Sequence, residues 1–124
     1  MPYEINWERN GVVVRFTGVF DFKENVNANN EIYSNSRCDR LNYIIWDVSD
    51  VSEAAANEDE ILLIAMQDQS CSSLVPKIKL AFLAQDETLR GLFNQYLAHY
   101  QSRQTGWNFK VFDNMESTRA WVTS

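Results

Sequence analysis

The feature that most constrains this chain is a pair of strand-like segments with no polar face, set among segments of helical period. Leu41 to Val48 reads LNYIIWDV, and Tyr43, Ile44, Ile45 and Trp46 offer no side to water. A strand of that kind is covered on both faces, the condition of an inner strand in a parallel sheet. Lys77 to Ala84 (KIKLAFLA) repeats the pattern. Between the two, Asn57 caps a helix whose first turn carries Glu58, Asp59 and Glu60, and whose buried side is drawn from Ile61, Leu62, Ile64, Ala65 and Met66. After the second segment, Asp86 caps a helix in which Leu89, Leu92, Phe93, Tyr96, Leu97 and Tyr100 recur at helical spacing. Buried strands alternating with helices pair in parallel through right-handed crossovers.

The flanks complete the pattern. Tyr3, Ile5 and Trp7 alternate with polar residues, and Asn10-Gly11 then supplies a hairpin turn into a second strand from Val12 to about Val19. Asp21 with Glu24 three residues on is a capping-box pattern. It opens a helix containing Phe22, Val26, Ala28, Ile32 and Tyr33. Thr105-Gly106 ends the third helix. Trp107, Phe109 and Val111 alternate with Asn108 and Lys110, which marks an edge strand. Asp113 with Glu116 opens a C-terminal helix containing Met115, Ala120, Trp121 and Val122. The expected fold is α/β: a single mixed, mostly parallel five-stranded sheet with about four helices in the order ββαβαβαβα, forming one domain over residues 1–124.

Composition narrows the function. Asp plus Glu is 17 against 11 Lys plus Arg, a net charge of −6, so the chain as a whole has no electrostatic drive toward nucleic acid or anionic lipid. The longest apolar run, Ile61 to Met66, is six residues, far short of the about 20 that cross a membrane. The opening Met1-Pro2-Tyr3-Glu4 is no secretion signal, so a cytoplasmic setting is expected. Cys38, Cys71 and His99 are too few and too dispersed for a structural zinc site. The two cysteines read as reduced thiols. Both fall at the amino-terminal end of the parallel strands, where a redox-sensitive bridge is geometrically allowed. His99 falls on the polar side of its helix and reads as solvated. The four glycines write no phosphate loop, and neither a nucleophile elbow nor a His-Glu-x-x-His pair is present. No enzyme activity and no cofactor are expected.

Asp47, Asp50, Glu53, Glu58, Asp59 and Glu60 gather around the carboxyl end of the third strand, the end where open α/β sheets bind ligands. They read as a solvated loop plus acids favouring a helix N-terminus, or as a surface for a basic partner; a divalent-cation site is the less favoured reading.

The order of elements resembles the STAS domain of bacterial anti-sigma factor antagonists, and more closely the small SpoIIAA-like proteins within that fold. The residues that carry the resemblance are the hairpin through Asn10-Gly11, the strand ending Ile45-Trp46-Asp47-Val48-Ser49, the strand Lys79-Leu80-Ala81-Phe82, and Phe112-Asp113 followed by Arg119-Ala120-Trp121-Val122. In those antagonists an Asp-Ser-Ser-Gly-like motif opens the second helix, and phosphorylation of one serine switches partner binding. Here the motif falls near Ala55-Ala56-Asn57-Glu58, with neither serine nor glycine, and Asn57 occupies or adjoins the switch position. Ser49 and Ser52 lie just upstream; turn serines of that kind are commoner than regulatory ones.

The resemblance implies a non-catalytic regulatory or protein-interaction module without the usual phosphoserine switch. It would present Asp47, Ser49, Asp50, Ser52, Glu53, Asn57 and Glu58 to an unidentified protein partner, with a homodimer also compatible. The alternative is a carrier or sensor of a small lipid-like ligand, held between helices and sheet by Trp46, Phe82, Phe93 and Trp121. That alternative rests on the similarity in outline between SpoIIAA-like domains and hydrophobic-ligand carriers.

Overall fold

The computed structural model describes residues 3–55, 57–100 and 106–124. Its strands are β1 (Tyr3–Trp7), β2 (Gly11–Asp21), β3 (Tyr43–Ala55), β4 (Lys79–Leu83) and β5 (Asn108–Phe112). Its helices are α1 (Phe22–Tyr33), α2 (Glu58–Ser72), α3 (Glu87–Tyr100) and α4 (Met115–Val122), with a 3-10 turn at Ser36–Arg40 before β3. The expected break of α3 at Thr105 lies outside the described residues.

The five strands form one sheet in chain order, β1-β2-β3-β4-β5. β1 runs antiparallel to β2 through a turn one residue earlier than expected: the Glu8 N–H donates to the Gly11 carbonyl at 2.8 Å across Arg9-Asn10, Gly11 is already the first residue of β2, and neither Asn10 nor Gly11 takes a positive φ; the remaining neighbours are parallel. Because the order never reverses, right-handed crossovers deliver α1, α2 and α3 to the same face. The core records this. Val12, Val14, Phe16, Ile44, Trp46 and Leu80 pack on one face with Ala28 and Ile32 of α1, Ile61 and Ile64 of α2, and Leu89, Phe93 and Tyr100 of α3. Residues of opposite parity, Val13, Tyr43, Ile45 and Ala81, point to the other face, where Val122 and Trp121 of α4 cover them. Each fully buried aliphatic side chain contributes about 1.5–3 kcal/mol, so the doubly covered strands dominate stability.

Side chains latch α4 in place. Arg119 donates to both carboxylate oxygens of Glu8, at 2.5 and 2.7 Å. The Tyr43 hydroxyl donates to the same carboxylate. These donors, Arg119 first, hold the Glu8 carboxyl below its ordinary pKa against the opposing effect of burial. Lys79 Nζ donates to the carbonyl oxygens of Trp121 and Ser124, both at 3.0 Å.

Several sequence expectations shift. β3 runs on to Ala55, where a loop was expected after Val48. Its partner is the second half of β2, with Thr17 beside Asp50 and Phe20 beside Ala54, across two register shifts. Gly18, at φ +72°, lies at one of these and takes a left-handed conformation that a β-carbon resists. β4 ends opposite Asp47, so beyond that point β2 and β3 form a two-stranded parallel ribbon. Asp21 caps α1 by accepting from the Glu24 N–H at 2.9 Å, but the return bond of a capping box is absent and Glu24 Oε2 is buried without a partner. The cap of α4 is Asn114, one residue after Asp113; it accepts from the Ser117 N–H at 2.7 Å. His99 is half-buried, with Nε2 3.8 Å from Glu58 Oε1, and is not a free surface side chain.

Gly11 pairs with Tyr43, and a β-carbon at Gly11 would sit inside the Tyr43 ring. That ring is buried and tied to Glu8, so it has little freedom to retreat. Gly11→Ala is expected to cost about 1–3 kcal/mol through overpacking, read as a lower urea midpoint with an unchanged m-value.

Candidate functional site

Two features of the structure bear on function, and both involve α2. The helix begins with a complete capping box. Asn57 Oδ1 accepts from the Glu60 N–H at 2.9 Å, and Glu60 Oε1 accepts from the Asn57 N–H at 3.0 Å. From there a stripe at i, i+3, i+4 and i+7 faces the core: Ile61, Ile64, Ala65 and Asp68, continued by Cys71. The neighbouring face is also apolar. Leu62, Leu63 and Met66 are exposed, the last two by about half. The sequence reading that assigned Leu62 and Met66 to the buried side is therefore corrected. At 100° per residue the stripe through Ile61 and Ile64 already fills the space against the sheet and α3.

The residues expected to face a partner divide in two. Asp47 is buried and turned inward, its Oδ1 accepting from the Ser49 N–H at 3.0 Å and from Ser49 Oγ at 2.5 Å. It is a local structural acceptor, which corrects its reading as a presented group. Ser49, Asp50, Ser52 and Glu53 are exposed on the ribbon, and Asn57 and Glu58 are exposed at the start of α2. Asp50 pairs with Arg15, and Ser52 Oγ donates to the Gly18 carbonyl at 3.2 Å. Thus six of the seven share the carboxyl-terminal edge of the parallel strands as exposed residues, on strand and helix cap in place of the expected loop.

The apolar-pocket residues also divide. Trp46, Phe82 and Phe93 line one cavity of about 60 Å³ between the sheet and α2–α3, together with Phe20, Ile61 and Leu80. Phe82 stacks on Phe93 at 4.7 Å between centroids. Trp121 lies across the sheet on α4, packed against Phe112, and is not part of that cavity. A 3.6-residue period marks an apolar helix face but not which side of the sheet receives it, so Trp121 could not be separated from the others by pattern.

The cavity wall includes polar groups that the sequence reading did not single out. Asp68 is 2% exposed. It accepts from the hydroxyls of Tyr33 on α1 and Tyr96 on α3, the latter at 2.6 Å, and from Asn29 Nδ2 at 3.3 Å. Burial raises its pKa from the ordinary 3.8 to about 6, against the opposing pull of the two phenols. Asn25 Oδ1, from α1, is buried in the same wall without a hydrogen-bond partner. The available signal for Asp68 was an acid on the buried stripe of α2. Nearby, Cys38 and Cys71 are buried and not disulfide-bonded; the influence of each thiol on the other lowers the pKa of Cys38 and raises that of Cys71.

A mixed sheet in unreversed order, with three helices on one face and one on the other, defines a single-sheet α/β protein with an N-terminal hairpin. Comparison with solved structures makes the class specific. The anti-sigma factor antagonist SpoIIAA in its unphosphorylated form matches at TM-score 0.65 and 15% identity, over 98% of this chain and 96% of that one. An anti-sigma factor antagonist from Mycobacterium paratuberculosis matches at TM-score 0.62 and 11% identity, over 98% and 93%. A DUF3478 protein with a SpoIIAA-like fold from Shewanella loihica PV-4 matches at TM-score 0.52 and 12% identity, over 97% and 91%. No family model matches the chain, and no curated protein matches it in sequence. The fold is SpoIIAA-like, of the STAS type. Among the described residues no helix is long and apolar enough to cross a membrane.

The displaced Asp68 pKa fixes a pH dependence. Folded Asp68 holds its proton to about pH 6 while unfolded Asp68 releases it near 3.8, so the folded state binds more protons between the two. Its contribution is most favourable below pH 3.8 and is lost as pH rises through about 6, a change of about 3 kcal/mol. Glu8, with its lowered pKa, acts in the opposite sense as pH falls. The difference in unfolding free energy between wild type and Asp68→Asn isolates the Asp68 term. That difference is expected to move against the wild type between pH 4 and pH 7 in urea titrations.

Proposed function

We propose that the protein is a cytoplasmic regulatory module that docks a partner protein through the outer face of α2 and the ribbon leading into it. The observation that carries this reading is the exposure of Leu62, Leu63 and Met66 on a helix whose inner face is already committed to the core. Burying these side chains gives α2 no further use within the fold, whereas exposed they mark an interaction surface. Asp50, Glu53, Glu58 and Asp59 are exposed on the adjoining ribbon and cap. An apolar centre with a charged rim is the anatomy of a protein interface, and this rim suits a partner with a basic border. The fold shared with anti-sigma factor antagonists supports the same class of role.

In this reading binding is not gated by a phosphoserine at the head of α2. Asn57 stands there, its side chain engaged as the helix cap. Ser49 and Ser52 spend their hydroxyls on Asp47 and on the Gly18 carbonyl. The size of the aromatic cavity ranks the alternative second. About 60 Å³ holds a few waters, where pockets for drug-sized ligands run to about 300–1,000 Å³. What favours a small-ligand role at all is the unpartnered Asn25 Oδ1 in an otherwise aromatic wall.

The test is site-specific photo-crosslinking in the source cells, with the reactive group at Met66 or, as a control, at the exposed Lys110 on β5. A discrete adduct is expected at Met66 only, and it should weaken with salt and vanish in Leu63→Ser/Met66→Ser. Because both side chains are exposed, that variant should keep its stability within about 0.5 kcal/mol. An adduct of twice the protein's mass would identify a second copy as the partner. Identical adducts at both positions would end the docking reading. A stoichiometric apolar molecule in solvent extracts would move the assignment to the cavity.

A further inference from the structure

A second cleft lies at the opposite end of the strands, and it is not aromatic but cationic. Its volume is about 220 Å³, and its lining includes Trp7, Arg9, Asn10, Arg37, Arg40 and Leu41. The hairpin after β1 supplies Arg9, and the 3-10 turn before β3 supplies Arg37 and Arg40. Both segments sit at the amino-terminal edge of the parallel strands, since Gly11 pairs with Tyr43 at the start of β3.

Three arginines line one concavity, and like charges gathered in this way repel one another unless carboxylates relieve them. Here none of the three makes an ion pair with a carboxylate among the described residues; the arginines that do are Arg15 and Arg119. Glu8 is in the lining, but both of its oxygens are taken by Arg119 and one also by Tyr43. Asp39 is exposed on the same turn, between Arg37 and Arg40 in sequence, and is not in the lining. Arg37 lies over the Trp7 ring at 5.8 Å, which holds one guanidinium by cation–π attraction while leaving its N–H donors unspent.

We propose that this cleft binds a small phosphate-bearing anion. Guanidinium forks match phosphate oxygens two at a time, and a dianion balances an excess of cations that a single carboxylate would not. The concavity is too small for a protein surface and wide enough for a phosphate with a compact organic group beside Trp7. The acidic net charge of the chain does not argue against this, because it averages over a surface on which the cations are concentrated here.

Titration followed by NMR, reading the Trp7 indole and the Asn10, Gly11 and Leu41 amides, tests the site with inorganic phosphate and with phenyl phosphate, each against chloride at matched ionic strength. Saturable shifts are expected at these positions, and Arg37→Gln and Arg40→Gln should each weaken binding about tenfold or more. Arg15→Gln, outside the cleft, should leave affinity unchanged. Tighter binding of phenyl phosphate would identify an organic phosphomonoester as the ligand class; equal binding would identify the free anion. The proposal is overturned if the shifts fail to saturate, if chloride reproduces them, or if both cleft variants bind as the wild type does. All three variants replace exposed side chains, so their folding can be verified from the same spectra.

Discussion

Strand order governs most of what this molecule can do. In an open α/β sheet whose strand order reverses, two crossovers diverge and leave a crevice at the carboxyl ends of the strands, where ligands settle. Here the order runs β1 to β5 without reversal, and α1, α2 and α3 pack side by side on one face. No diverging crossovers open a crevice. The carboxyl edge carries the β2–β3 ribbon and the cap of α2. The opposite face of the sheet is left to α4, eight residues long, too short to be held by packing alone. The bidentate Glu8–Arg119 pair and the Lys79 bonds to the chain end supply what its small apolar area lacks.

Within the three-helix layer, Asp68 decides how the helices meet. A buried carboxylate is costly, and the cost is offset only where donors converge on it. Tyr33 comes from α1 and Tyr96 from α3, so both phenols reach Asp68 in one alignment of three helices. Asn29 adds a donor from α1, and Gln67 of α2 bridges Asn29 and Asn30. This explains Asn29 and Asn30 of α1, poor helix formers: at these two positions the helix gives up intrinsic propensity for a polar seam with α2. A purely apolar seam would pack as well yet leave sliding between helices less restricted.

The element order, the hairpin, the inner strands and the two edge strands were legible because each has a local signature. Val12, Val14 and Phe16 alternate with residues of the opposite face, and Leu80 and Ala81 are buried on both sides. What was not legible depends on partners distant in sequence. Val48 to Ala55 is polar enough to read as a loop and becomes strand because Thr17–Asp21 lies alongside to complete its ladder. Leu62 and Met66 look like core until the helix is rotated onto its true contacts. Trp121 shares composition with Trp46 but not a side of the sheet. Of the candidate residues, those on the ribbon and cap read as exposed from their polarity, whereas the burial of Asp47, which accepts from the Ser49 N–H and hydroxyl, has no signature in residue type.

Net charge is the coarsest of these summaries and conceals the most. Along the strand direction the molecule has two unlike ends. Arg9, Arg37 and Arg40 gather at the amino edge, while Asp50, Glu53, Glu58 and Asp59 gather at the carboxyl edge with the apolar face of α2 beside them. Surface potential decays over about 8–10 Å at physiological salt. Each end therefore presents its own field to what approaches it, and the overall −6 describes neither. The sheet between them is fully packed at Ile44, Ile45 and Leu80.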